Sequence, residues 1–436
     1  MSEVFVVFEP FGHSYLVVAA AAKRGFEVVV FHTLPISKSP PYGDDGNYIS
    51  GAHLVSDWLK PAQVADLVDN ALAGRKLIGT YCGPEITAAA DAMVRQRHGL
   101  PHNDPEHVGR IVDKYWVRNR LREARLTNLD CLDEKASHAL QEWPKPEIAY
   151  FFKPRNGGGS AYVKKVRNLD QLREAAAEWN RDEVHKLEIL RAFLKRGQGY
   201  FIEQEAKGEL LSAEGLTSRG KYEFFGLTGR LLLASDSTIE VGSTFPREHP
   251  RVDEVRELSA AIHEALGYHH GPSHVEFMVP AEGPIEMVEF NPRLAGVDNL
   301  RLYNLTLGRN VEEILIDLGC GMPAGVPEIS GARHGVMNYV FAPCGPGRLD
   351  TLEFPEGADF VRPFKSEGEE IPPGIHEFAY LAGFIVVSDT FEESIAKAAQ
   401  IRGGISVNGV RIDENDINDV IVPEAQPSLE VKTATA

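Results

Sequence analysis

Two short stretches of this sequence place oxygen donors where a hard cation could sit. Ser273–Val279 and Ile285–Asn291 read as strands, and Ala281-Glu282-Gly283-Pro284 between them reads as a turn. A hairpin with that loop sets Glu276 opposite Glu289 and His274 opposite Asn291. Side chains alternate along a strand, so these four share one face, while Val275, Phe277, Val279, Val288 and Phe290 would face the core. Like charges directly opposite destabilise a sheet by roughly 0.2–1 kcal/mol. Neither strand carries a Lys or Arg to offset them, and Arg293 stands just beyond. Two carboxylates and an amide oxygen on one face suit Mg²⁺. The other reading is a solvated acidic face on an edge hairpin.

Two further segments could act on an anion or a ring. Lys153 ends an apolar strand and is followed by Gly157, Gly158, Gly159 and Ser160. Three consecutive glycines cost backbone entropy. Their bare N–H groups can approach phosphate oxygens closely, and Lys153 adds a point charge beside them. The alternative is a flexible hairpin turn with a surface lysine. Glu203-Gln204-Glu205-Ala206, running on to Glu209, is a strand entering a turn. Such a strand end can offer backbone groups to a base edge and a carboxylate to a ribose, or be an exposed acidic strand end.

The elements that must position these residues follow from the rest of the chain. A length of 436 residues suggests about three domains, and 43% hydrophobic content fits a sizeable core. Glu3–Phe8 reads as a strand, Ser14–Arg24 as a helix capped by Ser14 and Phe26–Phe31 as a second strand. With the helix Pro61–Ala73, the strand Lys76–Tyr81 and a helix opened by Pro84, residues 1–110 form a small doubly wound α/β domain. A helical connector follows over 111–148, ending near Trp143-Pro144-Lys145-Pro146. Residues 149–207 read as strand, glycine loop, strand and helix, with a charged amphipathic helix over 183–196. Strands dominate 208–330, an α+β stretch covers 331–424, and 425–436 is a polar tail. The fold class is α/β, turning to α+β in the C-terminal half.

Composition excludes some functions. A net charge of −18 argues against nucleic-acid or anionic-membrane surfaces, but leaves room for one small anion held by local cations. Cys82, Cys131, Cys320 and Cys344 form no CxxC pair and read as reduced thiols, so a cytoplasmic protein is expected. No signal peptide or membrane span is expected. Gly319-Cys320-Gly321-Met322-Pro323-Ala324 fits a dinucleotide fingerprint in letters only: it follows a helical pattern, and Pro323 stands where a helix should begin. The segment therefore reads as a loop. There is no P-loop, and no G-x-S-x-G.

Taken jointly and in this order, Asp113-Lys114, Lys153 before the glycines, Glu203 to Ala206, His274-Val-Glu276 and Glu289-Phe-Asn291-Pro-Arg293 resemble the ATP-grasp superfamily. Glu289-Phe-Asn-Pro-Arg-Leu-Ala-Gly after His-Val-Glu, with Ile239–Pro246, is most similar to L-amino-acid ligases that make dipeptides. The resemblance implies the ATP-grasp fold: an N-terminal α/β domain, a mobile lid and a C-terminal grasp domain. It also implies an ATP-dependent carboxylate–amine ligase working through an acyl-phosphate. By position, Lys114, Lys153, Gly157, Gly158, Gly159 and Ser160 would meet the phosphates of ATP. Glu203 and Ala206 would meet adenine, and Glu209 the ribose. Glu276, Glu289 and Asn291 would hold two Mg²⁺, or Mn²⁺ in their place. Lys153, Arg293 and His274 would be catalytic, and Glu240, His274 and Arg293 would contact the small-molecule carboxylate and amine substrates. Related ligases are often homodimers. Rival readings are an ATP-grasp enzyme with a non-amino-acid acceptor, like a biotin carboxylase or a purine-biosynthesis enzyme, and a catalytically silent nucleotide-binding protein. No biotin-attachment Met-Lys-Met is present, and the full Glu276/Glu289/Asn291/Arg293 set argues against the silent form.

Overall fold

The computed structural model describes residues 2–34, 36, 47–158, 162–181, 199–236, 239–296, 298–343, 345–372, 379–413 and 418–421. Gly159, Ser160, the helix expected over 183–196 and the tail lie outside the described residues.

The N-terminal unit is a four-stranded parallel sheet in the order Gly51–Leu54, Glu27–His32, Glu3–Phe8, Lys76–Cys82. Glu3–Phe8 is central, so both faces are covered and every residue from Val4 to Phe8 is buried. The strand Gly51–Leu54 was not foreseen; it is short and half-exposed at an edge, without the apolar run that marks its neighbours. The helix Ser14–Lys23 forms, but His13 is its N-cap and no side chain caps it. The expected Ser14 cap is therefore corrected. The first-turn amides already find carbonyls of the preceding turn: Ser14 N donates to Phe11 O (3.1 Å) and Tyr15 N to Gly12 O (3.3 Å).

The second unit is a four-stranded antiparallel sheet in the order Cys131–Asp133, Tyr200–Gln204, Tyr150–Pro154, Lys164–Val166, backed by the helix Leu169–Asn180. The third is a nine-stranded sheet. From one edge it runs Glu286–Asn291, Gly271–Val279, Glu209–Ser218, Lys221–Leu233, Glu240–Phe245, His334–Val340, Ala382–Ser388, Phe360–Pro363. Val420–Ile421 pairs with Leu232 and Leu233. This sheet runs through residue 330, so the last α+β stretch continues the same layer. A 15-residue helix, Val252–Leu266, interrupts the region read as strands. Val255, Ile262 and Leu266 are its buried stripe, and Gly267, at φ +60°, ends it.

The Gly319-Cys320-Gly321 segment has a packing role. The helix Val311–Gly319 ends against the strand Lys76–Cys82, where a Cβ on Gly319 would come within 2.5 Å of the Thr80 carbonyl oxygen. The buried Arg95 closes this junction. Its Nη1 donates to Gly319 O and to Thr80 Oγ1 (both 2.9 Å), and its Nη2 lies 2.8 Å from His270 Nε2. One guanidinium thus joins the first domain, the helix end and the strand that leads to the hairpin.

His263 supports the hairpin's apolar face. Its ring packs on Tyr222 (4.1 Å between centroids) and Phe290 (4.9 Å). Nδ1 donates to Ser259 O (2.6 Å), and Nε2 accepts from Ser273 Oγ (2.7 Å). Burial pushes this imidazole down to about 4 from 6.5. Above pH 6.5 both the folded and unfolded chains hold it neutral, and its contribution is complete. Below 6.5 only the unfolded chain takes up the proton, so stability is lost down to the folded value, by about 3 kcal/mol. Denaturant midpoints measured from pH 7 to 4 should fall, and His263→Phe should flatten that slope.

Candidate active site

The hairpin forms in the expected register: His274 faces Asn291, and Glu276 faces Glu289. The register then shifts, because Phe277 faces Met287 and leaves Val288 as an extra residue. This bulge corrects one expectation. Met287 takes the buried core position, and Val288 turns half-exposed into the cleft. The cleft is bounded by Lys114, Lys153, Asn156, Gly157, Glu276 and Glu289.

Cations from elsewhere in the chain offset the facing carboxylates. Lys114 begins the helix Lys114–Glu123, whose N-cap Asp113 accepts from the amides of Tyr115 and Trp116. Its Nζ lies 2.9 Å from Glu289 Oε1 and donates to Gly157 O (2.5 Å). Gly157 has φ +134°, a conformation open to glycine alone. Arg155, just before the glycines, pairs with Asp113, so the lysine and the loop are held together.

Glu276 is held by two groups. Arg230 Nη2 donates to its Oε1 (3.2 Å), and His274 Nε2 lies at 3.2 Å from the same oxygen. Arg230 Nε also lies 2.7 Å from Glu240 Oε2. Burial alone would raise Glu276, but the His274 hydrogen bond and the Arg230 charge outweigh it and hold it at about 2. Burial would lower His274, but the charge and hydrogen bond of Glu214 outweigh it and hold the ring up at about 9. Glu240 is raised by burial and by the neighbouring Glu276 charge. Its backbone carbonyl accepts from the Tyr380 hydroxyl, and its side chain is one-third exposed.

Arg293 Nε donates to Glu85 Oε2 (2.7 Å), and Nη2 lies 3.5 Å from Asn291 Oδ1. Burial would raise Glu85, but Arg293 outweighs it and lowers it. A Cβ on Gly158 would stand 3.2 Å from Glu85 Oε1, so the glycine loop passes directly over this ion pair.

Glu203 takes a place that its spacing did not suggest. Lys153 Nζ donates to its Oε2 (2.7 Å), and Arg118 Nε to its Oε1 (2.5 Å). Arg118 is fully buried, and its Nη2 donates to the carbonyl of Met287 (2.5 Å), beside the bulge. Burial would raise Glu203; the two cations outweigh it and lower it. Its side chain is thus committed to holding Lys153 and Arg118. Ala206 is half-buried just past the strand. Glu209 forms a two-point pair with Arg247 (2.9 and 3.3 Å).

Sequence reasoning missed Glu85, Arg118, Glu214 and Arg230. Three of them carried a signal. Glu214 and Arg230 are lone charges inside the largely apolar strand runs Leu210–Leu216 and Leu227–Leu233, and a charge there must be paired. Glu85 follows the C-terminal end of a parallel strand, where open α/β sheets place their ligands. Arg118 lies in a polar helix with nothing local to mark it.

Among the described residues, no three His, Cys, Asp or Glu side chains form a complete metal cage. Glu276, Glu289 and Asn291 nevertheless fit Mg²⁺, which keeps waters and substrate oxygens as its remaining ligands. Residues 147–299 match the family model for the ATP-grasp domain. The chain carries an ATP-grasp domain. No curated protein matches it by sequence. An L-amino acid ligase from Bacillus licheniformis superposes with a TM-score of 0.75 at 16% identity, over 93% of this chain and 98% of that one. A phosphoribosylglycinamide synthetase from Anaerococcus prevotii gives 0.67 at 15%, over 93% and 99%. The biotin carboxylase domain dimer of 2-oxoglutarate carboxylase from Hydrogenobacter thermophilus, solved with MgADP and bicarbonate, gives 0.67 at 16%, over 93% and 91%. The ATP-grasp fold therefore extends over nearly the whole chain. Among the described residues, no helix is long and apolar enough to cross a membrane.

Glu203 is buried and holds two cations, Arg118 and Lys153. Glu203→Ala would leave Lys153 buried without its counter-charge and Arg118 with Glu286 alone, at 3.9 Å, and should cost about 3–5 kcal/mol of folding stability by denaturant titration. Glu205→Ala, on the same strand end but pairing at the surface with Lys165, should cost less than about 1 kcal/mol.

Proposed function

We propose that this protein is an ATP-dependent ligase that joins the carboxylate of an amino acid to an amine or a second amino acid. The observation that carries the reading is the pairing of Glu276 with Glu289 and of His274 with Asn291, within reach of Lys114 and Arg293. Glu276, Glu289 and Asn291 would hold Mg²⁺. When bound, the metal neutralises charge on the phosphate oxygens during transfer.

A carboxylate is a poor acyl donor because oxide would have to leave. Moving the γ-phosphoryl of ATP onto it gives an acyl-phosphate, and ADP departs. The amine nitrogen then attacks the acyl carbon, the C–N bond forms, phosphate leaves and the nitrogen gives up a proton. The chain's own part is positioning and charge. Lys153, fixed by Glu203, and Lys114, resting on Glu289 and Gly157, supply cations to the polyphosphate. Arg293, held by Glu85, faces the group in transfer. Glu240 offers a partly exposed carboxylate to a substrate ammonium. Gly157 and Gly158 let the backbone close over the phosphates and keep water from the acyl-phosphate. His274 is lodged between Glu214 and Glu276, so its part is to hold Glu276 rather than to take a proton from substrate. The adenine is left to backbone groups around Ala206. In this reading the enzyme is cytoplasmic and works as a homodimer on small molecules.

Phosphate release from Mg-ATP, assayed with amino acids singly and in pairs, tests the reading. Release that depends on a pair, with the coupled product seen by mass spectrometry, is expected. Lys153→Ala and Glu289→Ala should remain folded and lose at least 100-fold in turnover. Normal turnover in a folded Glu289→Ala protein would remove the metal assignment, and release with no amino acid pair would point to a different acyl donor.

A further inference from the structure

We propose that Glu214 is a positioning residue for Glu276, acting through His274, and that it also sets the loop carrying Arg293. The proposal rests on the reading above, in which Glu276 holds a metal ion.

Glu214 is completely buried in the strand Glu209–Ser218, and its contacts with His274 and the Ala295 amide lead toward the site. His274 Nδ1 donates to its Oε1 (2.7 Å), as does Thr228 Oγ1 (3.1 Å). The Ala295 amide donates to Oε2 (3.2 Å), two residues beyond Arg293. With Nδ1 fixed in this way, the opposite ring nitrogen sits 3.2 Å from Glu276 Oε1. Arg230 closes the arrangement, donating from Nη2 to Ser212 Oγ (2.5 Å) and to Glu276 (3.2 Å). A buried carboxylate is a poor way to gain stability, since apolar residues of similar volume often serve as well or better. An ionised Glu with three donors from two strands and a loop makes sense as a device that fixes direction. It orients the imidazole, and the imidazole turns the Glu276 carboxylate. Groups that orient a metal ligand from behind typically change metal affinity 10–100-fold.

The test is Mn²⁺ binding, read by electron paramagnetic resonance in the presence of ADP, on the full chain. Glu214→Gln keeps the shape but turns an amide N–H₂ toward one of the donors. It should weaken Mn²⁺ binding by about 10-fold or more while leaving ADP binding in EDTA unchanged. His274→Gln should weaken it similarly, and the double variant should be no worse than His274→Gln alone, because the two act in series. Losses that multiply in the double variant would overturn the route through His274. A folded Glu214→Gln protein with wild-type Mn²⁺ affinity would overturn the proposal outright. If Glu214→Gln does not fold, Glu214→Asp decides: it keeps the charge, draws the carboxylate back by one methylene, and should show a smaller loss, whereas an unchanged affinity overturns the proposal. Absence of Mn²⁺ binding by the unmodified protein would instead overturn the metal-site reading.

Discussion

Two carboxylates face each other across a pair of strands, and neither strand carries a Lys or Arg. That constraint organises the site. Glu276 and Glu289 repel in the pairing that the hairpin imposes, and His274 beside them is joined by charge brought from distant parts of the chain. Lys114 comes from the connector helix, Arg230 from a strand two places along the sheet, and His274 from the same face, with Glu214 behind it. Each of these cations is itself tied to a second group, so the carboxylates fix the relative placement of four elements. A chain of net charge −18 can in this way bring lysine and arginine to a cleft without a basic surface.

The bulge at Val288 is the second organising feature. It permits the same strand to present Glu289 and Asn291 to the cleft and Met287 to the core. The carbonyl of Met287, beside the bulge, accepts from Arg118, which also holds Glu203 in the four-stranded antiparallel sheet. Backbone irregularity and buried charge therefore meet at one point, and Lys153 is oriented from there through Glu203.

Much of this was legible in the sequence because it is local. Strand alternation and the length of one turn were enough to pair Glu276 with Glu289, and apolar runs placed three of the four strands of the first domain. What was hidden is what depends on three-dimensional closure. The bulge leaves no mark in the pattern Ile285–Asn291, so Val288 was assigned to the wrong face. The helix Val252–Leu266 lies among strands, and its stripe of Val255, Ile262 and Leu266 was masked by that context. Glu203 read as a free strand-end acid because its partner Arg118 is 85 residues away. Glu85 and Arg293 are 208 residues apart and meet only once the first domain docks on the large sheet.

That docking has a consequence for how the chain tolerates change. The contact of Gly319 with the Thr80 carbonyl leaves no room for even a methyl group, and Gly79 is as tightly opposed by the Cys320 sulfur. These glycines touch no part of the cleft, yet the meeting of Glu85 with Arg293 depends on the separation they set. Substitution is thus restricted at two kinds of place in this fold, the polar residues of the cleft and a pair of small residues behind it. A substitution of the second kind would reach the chemistry as a change of spacing between two rigid bodies, with every reacting group still present.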